Sequence, residues 1–467
     1  MGAYKFEVFT KAIAQNIKDG VFKAGYKLPS VRMLKEQYGL SISTVQSGYD
    51  YLVLSGLVDN VPKSGYYVRS QSVVSVSEQG KRRPVIRDAT FKKHLGLTTR
   101  SNDRGRLSEF NVAAPGDLLV PQKLLLRTMQ QVIREQGTNL LRYYPASGSM
   151  DLKSNIAQRA AAYQTILHPE ELFVTDGGLQ ALYIALASVC VAGDVVAIET
   201  PCVFSVLEII RVLKLKVIEI PTLVDVGFDI DFFNKACVNS PIKAVVVTPN
   251  FHNPTGSLLS DDQKKRLLDI IVYYGIALIE NDICGDLYFH GKRPSTIKGM
   301  DKSGLVMSYS SYSKTLAPGI RVGWLAAGKF TQRAEQIRFA LGSTVSPIYQ
   351  ETVSRLLSNS SYDRHLRTFR MQLARNAYTA IHLISSYLPQ GTVVQPPRGG
   401  YNLWVQLPLN TDMEAFYKHC EEVAIRFTPG FTFSFSGNFD TCFRMVFADN
   451  FSDQKKEAIQ RLGERLG

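Results

Sequence analysis

The chain has 467 residues, 45% of them hydrophobic and 20% charged, with a formal net charge of +13. That length exceeds one small core, and the balance is that of a folded rather than a disordered or fibrous chain, so two or more globular domains are expected. Six scattered cysteines without a CxxC pair argue against a zinc site or a disulfide framework and fit a reducing compartment.

No metal site is expected. The first residues lack the apolar segment of a secretory signal. The longest apolar stretch, around Ala181 to Val191, is too short to cross a membrane. A cytoplasmic protein with no membrane partner is the expectation. The positive charge is uneven, for residues 1–104 hold 17 Lys and Arg against 8 Asp and Glu. A basic N-terminal module suggests a polyanionic partner.

In chain order, residues 4–20 carry apolar side chains at helical spacing (Val8, Phe9, Ala12, Ile13, Ile17), with Gly20 as a stop. Ser30 caps a second predicted helix, Val31 to Tyr38, which Gly39 ends. A third opens at Ser41-Ile-Ser43 and runs to about Ser55, with Val45, Tyr49 and Leu52 on its inner face. Gly56-Leu-Val58, a turn through Pro62-Lys-Ser-Gly65, and Tyr66-Tyr-Val68 predict a short β-hairpin. Three helices and a hairpin in so few residues make a winged helix-turn-helix, placed at residues 1–69. Residues 70–106, rich in Ser, Arg, Lys and Gly with a Lys81-Arg-Arg83 cluster, are predicted to be a linker.

From 107 to 467 apolar runs alternate with helical stretches. Val195–Ile198, Val217–Ile220, Ala244–Val247, Ile276–Ile279 and Leu305–Met307 are predicted buried strands, and Gln263–Tyr274 a helix between two of them. That alternation predicts an α/β domain with a mainly parallel sheet covered on both faces. After the Leu305–Met307 run comes Ser308-Tyr-Ser-Ser-Tyr-Ser-Lys314, with Arg321 seven residues on. An amine, flanking hydroxyls and a guanidinium are what a protein needs to hold pyridoxal 5'-phosphate: a Schiff base on Lys314, and Ser311, Ser313 and Arg321 for the phosphate. Val174-Thr-Asp-Gly-Gly178-Leu179 reads as a glycine turn opening a helix, whose free amides suit a phosphate.

The N-terminal pattern, Gly25-x-x-Leu28-Pro29-Ser30-x-Arg32-x-Leu34, then Ser43-Thr44-Val45 and Tyr49-x-x-Leu52-x-x-x-Gly56-Leu57-Val58, resembles the GntR family of DNA-binding domains. The resemblance implies double-stranded DNA as partner. It puts Ser43, Thr44, Gln46 and Ser47 at the exposed start of the recognition helix. Arg32 would lie on phosphate or guanine, and Lys63, Ser64 and Gly65 at the wing tip.

The larger part resembles fold-type-I aminotransferases, and the whole chain resembles the MocR group of GntR regulators, which join the two. That resemblance implies phosphate-cradling positions at Gly178 and Leu179, the latter a departure from the polar residue common there. It implies that Asn253, in Asn250-Phe-His-Asn-Pro-Thr-Gly256 and 61 residues before Lys314, bonds the cofactor's phenolic oxygen. Tyr143 would reach the phosphate of a partner subunit, which implies a homodimer and two DNA half-sites. Arg444 would clamp a substrate carboxylate.

Three positions depart further. Where the family has an aspartate against the pyridine nitrogen and a tyrosine three residues later stand Asn281 and Cys284. Either the adjacent Asp282 takes the role through a local shift, or the nitrogen has no carboxylate. Cys202 or Val203 holds the place of the ring-stacking aromatic, with Phe204 as the substitute. Anchors kept and tuning groups altered favour a transcriptional regulator that senses the cofactor or a bound amine or amino acid. The alternative is an active aminotransferase with an appended DNA-binding domain.

Overall fold

The structure is a computed structural model, and it describes residues 6–61, 64–69, 83–92, 108–223, 226–342 and 345–466. Three helices, Glu7–Lys18, Val31–Tyr38 and Ile42–Leu54, precede an antiparallel hairpin of Val58–Val61 with Gly65–Val68. The punctuation is local. Ser30 Oγ accepts from the Met33 amide at 3.3 Å and Ser41 Oγ from that of Thr44 at 3.1 Å, each satisfying a donor the helix start leaves free. Gly39 ends the second helix in the left-handed region at φ 61°. Phe9, Val45, Tyr49 and Leu52 close the core, and the rings of Tyr49 and Tyr66 stack at 3.9 Å. A β-carbon on Gly48 would meet the Phe9 ring at 2.1 Å, so the first and third helices cross only because that position is glycine.

Within the stretch 70–106, residues 83–92 are described, and Arg87–Asp88 is an antiparallel edge strand beside Lys216–Leu223. Lys81 and Arg82 lie outside the described residues. From that edge the large sheet runs through Lys216–Leu223, Val195–Thr200, Ile242–Val247, Ala277–Asn281, Val306–Ser311, Val322–Ala326 and Leu172–Asp176. The strands from Lys216–Leu223 to Val306–Ser311 are mutually parallel, and Val322–Ala326 is antiparallel to both its neighbours.

Because both faces are covered, the strands are apolar on both sides. Val246, Ile279, Met307 and Tyr309 pack with the helix Gly177–Val189 on one face. On the other, Val245, Leu278 and Val306 pack with Phe233 of Ile230–Asn239 and with Leu267 and Ile271 of Asp261–Tyr274.

A second antiparallel sheet, ordered Val393–Val394, Asn402–Gln406, Cys442–Val446, Thr428–Pro429, packs with the long helix Ser360–Tyr387 and with Asp453–Leu466. That long helix also receives the winged module, Asn60 Nδ2 donating to the Tyr378 hydroxyl at 2.7 Å, and away from the helix Tyr51 meets His290 edge-on at 4.7 Å. Among the described residues no helix is long and apolar enough to cross a membrane, and no cluster of His, Cys, Asp or Glu could hold a metal ion. All six cysteines are free and buried.

Candidate cofactor site and DNA-facing surface

The chemistry-bearing residues gather beyond the C-terminal ends of the parallel strands, where open α/β sheets bind ligands. Gly177, at φ 74°, begins the helix Gly177–Val189. A β-carbon there would come within 2.7 Å of the Arg321 guanidinium, and one on Gly178 within 2.7 Å of Ile283. Glycine at both positions therefore lets an arginine and a strand end close on a helix N-terminus whose first amides have no partner in the helix.

Arg321 donates to the Asp176 carbonyl at 2.8 Å and pairs with its carboxylate at 3.2 Å, yet its side chain remains 47% exposed. The Ser313 amide donates to Ser311 Oγ at 3.2 Å, and Ser311 Oγ donates to the Val322 carbonyl at 3.4 Å. Ser313 Oγ is buried and has no partner among the described residues. A lone hydroxyl, unpaired amides and an open guanidinium at one helix start fit a phosphate group. Leu179 is exposed and adds no polar atom to this cup.

Lys314 lies just beyond the strand Val306–Ser311, held by its neighbours: the Tyr362 hydroxyl donates to Thr315 Oγ1 at 2.8 Å, and His365 Nε2 meets the Thr315 carbonyl at 2.6 Å. Its ammonium donates to the Ala113 carbonyl. Burial draws the Lys314 amine down to about 8, with the cations Arg444 and Arg321 adding and Cys284 opposing.

Asn253 and Arg444 meet at the other end, Arg444 Nη1 donating to Asn253 Oδ1 at 3.1 Å. Nη2 donates to the Asn111 carbonyl at 2.7 Å and to Thr428 Oγ1 at 3.1 Å, and the guanidinium lies 5.2 Å from the Phe433 ring. The side chain is 1% exposed, its Nε is unpartnered, and no carboxylate pairs with it among the described residues. Burial brings its pKa down to about 10.

The two acid-or-amide candidates separate. Asn281 is the register partner of Tyr309, so it shares the sheet face that carries the helix Gly177–Val189. The Asp282 carboxylate is committed elsewhere, to the Arg293 guanidinium and, at 3.0 Å, to the Asn250 amide. Arg293 itself spans Asp282 and Asp286 and lies 3.5 Å over the Tyr163 ring. Cys284 is buried, its thiol pushed up to about 12 by burial, and it hydrogen-bonds the Tyr401 hydroxyl. Phe204 opens the helix Phe204–Val212 and meets Phe433 edge-on at 6.2 Å. Tyr143 is wholly exposed, outside this cleft.

On the winged module Arg32, Ser43, Gln46, Ser47 and Ser64 are exposed, and Thr44 is half-buried with its hydroxyl 2.7 Å from Ser41 Oγ. Gln46 Nε2 donates to the Tyr66 hydroxyl at 2.9 Å, Ser47 Oγ donates to the Ser43 carbonyl at 2.9 Å, and Ser64 Oγ lies 2.6 Å from the Tyr67 hydroxyl. Gly65, at φ 118°, follows the wing turn, and Lys63 lies outside the described residues.

Several site groups escaped the sequence. The Ala113 and Asn111 carbonyls are backbone atoms and carry no sequence signal. His252 is fully buried between Thr255 Oγ1 at 2.8 Å and Glu199 at 3.3 Å, and braces the loop bearing Asn253. Its place two residues after Asn250 was the available hint.

Known proteins bear on this arrangement. Residues 8–68 match the model for bacterial regulatory proteins of the gntR family, and residues 114–462 that for aminotransferase class I and II. The uncharacterized HTH-type transcriptional regulator YjiR of Escherichia coli (strain K12) is 31% identical over 99% of this chain and 98% of its own. The chain belongs to the MocR-type group of GntR regulators. A second such regulator of that organism, YdcR, is 30% identical over 99% of both chains. The large domain of this MocR-type chain has the fold of LysN, an α-aminoadipate aminotransferase from Thermus thermophilus complexed with N-(5'-phosphopyridoxyl)-L-leucine. The TM-score is 0.74 at 24% identity, over 79% of this chain and 95% of that one.

Proposed function

We propose that this protein regulates transcription by binding operator DNA through its winged module, and that its large domain holds pyridoxal 5'-phosphate on Lys314 and senses a carboxylate-bearing amine. The observation that carries this reading is Arg444, a buried guanidinium with no carboxylate partner among the described residues, close enough to Lys314 to help draw that amine down to about 8. An uncompensated buried cation costs several kcal/mol, roughly 3–5 by the usual measure, and a ligand carboxylate removes that cost.

Bound pyridoxal phosphate supplies an aldehyde that amines attack and a ring that withdraws electrons. The chain's residues do the rest. Ser311, Ser313, Arg321 and the amides at Gly177–Gly178 would hold the phosphate, with Leu179 at the rim. Asn253 would bond the phenolic oxygen, and Phe204 and Asn281 would flank the ring. Lys314 presents an amine that is partly neutral near pH 8 and therefore nucleophilic. Asn281 is a neutral amide and Asp282 is spent on Arg293, so a ring nitrogen here has no free carboxylate to keep it protonated. That supports sensing over rapid transamination.

Tyr143 at 100% and Leu141 at 87% exposure fit a surface that a second copy covers, and a homodimer reads two half-sites. Arg32, Ser43, Thr44, Gln46, Ser47, Lys63, Ser64 and Gly65 would face the operator. Such a regulator works in the cytoplasm, beside its DNA.

A ligand changes operator binding only through different affinities for two arrangements of the protein. The test selects an operator from random-sequence DNA with wild-type protein. Its binding is then titrated with and without pyridoxal phosphate, in wild type and Lys314→Ala. A shift in wild type that Lys314→Ala lacks is expected. Identical curves in all four arms would remove the sensing mechanism.

A further inference from the structure

The strand Asn402–Gln406 runs antiparallel to the strand bearing Arg444, with Asn402 opposite Val446 and Trp404 opposite Arg444. Cross-strand partners and residues two apart share a face, so Asn402 and Arg444 stand diagonally on the same face of the small sheet. The loop bearing Asn253 lies against that strand start, for a β-carbon on Gly256 would be 3.6 Å from the Asn402 carbonyl oxygen. Asn402 is 2% exposed, and neither Oδ1 nor Nδ2 has a partner among the described residues.

A buried amide with both ends unsatisfied is rare, because each lost bond costs about 1–3 kcal/mol. Two further buried polar atoms, on residues at or next to the contacts of Arg444, are in the same condition. Asn111 Oδ1, whose backbone carbonyl Arg444 binds, has no partner among the described residues. Neither does the hydroxyl of Ser434, next to the Phe433 ring beside Arg444. All are neutral, and Arg444 is the one charged side chain in the group.

We propose that Asn402 is the group that reads the ligand's side chain while Arg444 holds its carboxylate, and that the ligand is an α-amino acid with a neutral hydrogen-bonding side chain, a carboxamide or a hydroxyl. This rests on the sensing role proposed above and names the ligand class it leaves open. An aliphatic side chain leaves the Asn402 amide orphaned in the bound state. An acidic one can use Nδ2 but sets a second carboxylate against Oδ1. A carboxamide or hydroxyl offers a donor and an acceptor together, which is the complement of the unpaired amide. Sites built to bond a polar group reject analogues that lack it far more strongly than apolar pockets reject a missing methylene.

The test uses near-isosteric ligand pairs on the full-length protein loaded with pyridoxal phosphate. L-Asparagine is compared with L-leucine and L-threonine with L-valine, with L-aspartate as the charged control. Binding is read by calorimetry and by the change in cofactor absorbance. Wild type should bind each polar member roughly tenfold or more tightly than its apolar isostere. Asn402→Leu should erase or invert that preference while still requiring the α-carboxylate. Asn402→Ala gives the same readout should the leucine variant misfold. Amino acids binding equally well within each pair, or a preference that survives the substitution, would overturn the role of Asn402 and leave the sensing role standing. Tightest binding of L-aspartate would overturn the neutral ligand class. No binding by any amino acid, with the cofactor spectrum unchanged, would sink the sensing role itself and this inference with it.

Discussion

Two arginines frame the cleft and differ in almost every physical respect. Arg321 is half-exposed and already neutralised by the Asp176 carboxylate and carbonyl, at the mouth of a cup of helix amides and hydroxyls. Arg444 is buried, satisfied by neutral oxygens alone, and has an unpartnered Nε. The first suits a dianion that stays bound, since water and Asp176 share the charge when the cup is open. In the proposed function the second keeps its charge for a ligand that comes and goes. A resident group and a transient one thus call for cations prepared in opposite ways.

The sharpest way to break this picture is to remove the amine between the two arginines. Lys314→Ala should abolish covalent capture entirely. After incubation with pyridoxal phosphate and borohydride reduction, wild type should gain one phosphopyridoxyl mass on the peptide holding residue 314, and the variant none.

Arg444→Met comes next. It should weaken carboxylate ligands by roughly a hundredfold, the worth of a buried charge-assisted pair, while leaving cofactor capture intact. Since a buried cation without an anion is replaced by apolar atoms, the ligand-free variant should melt no lower than wild type. A fall in melting temperature comparable to a core truncation would mean that Arg444 is a structural strut.

Arg321→Met should do the converse. Cofactor affinity should fall by about tenfold, and stability should stay within about 0.5 kcal/mol, because an exposed pair contributes little.

The lysine between the two arginines has its own pH signature. With the Lys314 amine at about 8, its neutral fraction passes one half at that pH, climbs mostly within about one unit on either side and levels off beyond. Stopped-flow capture of pyridoxal phosphate should follow that curve. An ordinary lysine would keep accelerating towards pH 10. The folded value is depressed, so whatever stability this group contributes is present at high pH and lost as pH falls through 8.

The smallest effect lies in the winged module. Burial raises the Asp50 carboxyl to about 7, and its Oδ1 is buried without a partner among the described residues. A raised acid contributes stability at low pH that is lost as pH rises through the folded value, here the window from about 4 to 7. Asp50→Asn should therefore flatten the melting profile across that window and gain about 1–2 kcal/mol at pH 8.

Much of this was legible in the residues, for reasons that are local. The second and third N-terminal helices appear where Ser30, Ser41 and Gly39 mark their ends, because caps and left-handed stops act within one turn. Five mutually parallel strands of the large sheet appear at the apolar runs, since a strand covered on both faces must be apolar throughout, whereas Val322–Ala326 and Leu172–Asp176 were not singled out. Lys314, Arg321, Asn253 and the Gly177–Gly178 turn could be singled out as candidates because each adjoins an apolar run or a glycine turn.

The sequence alone left Asn281 and Asp282 undivided, and their division rests on Arg293, eleven residues away and joined only by folding. It marked Arg444 without its burial, and it gave no sign of Asn402, an ordinary strand residue until its neighbours leave both amide atoms unpaired. Composition and spacing determined that this is a basic winged module joined to an α/β domain with a lysine at a strand end. Which polar groups end up partnered and which stay free was decided by tertiary structure, because hydrogen-bond satisfaction depends on what packs across the cleft rather than along the chain.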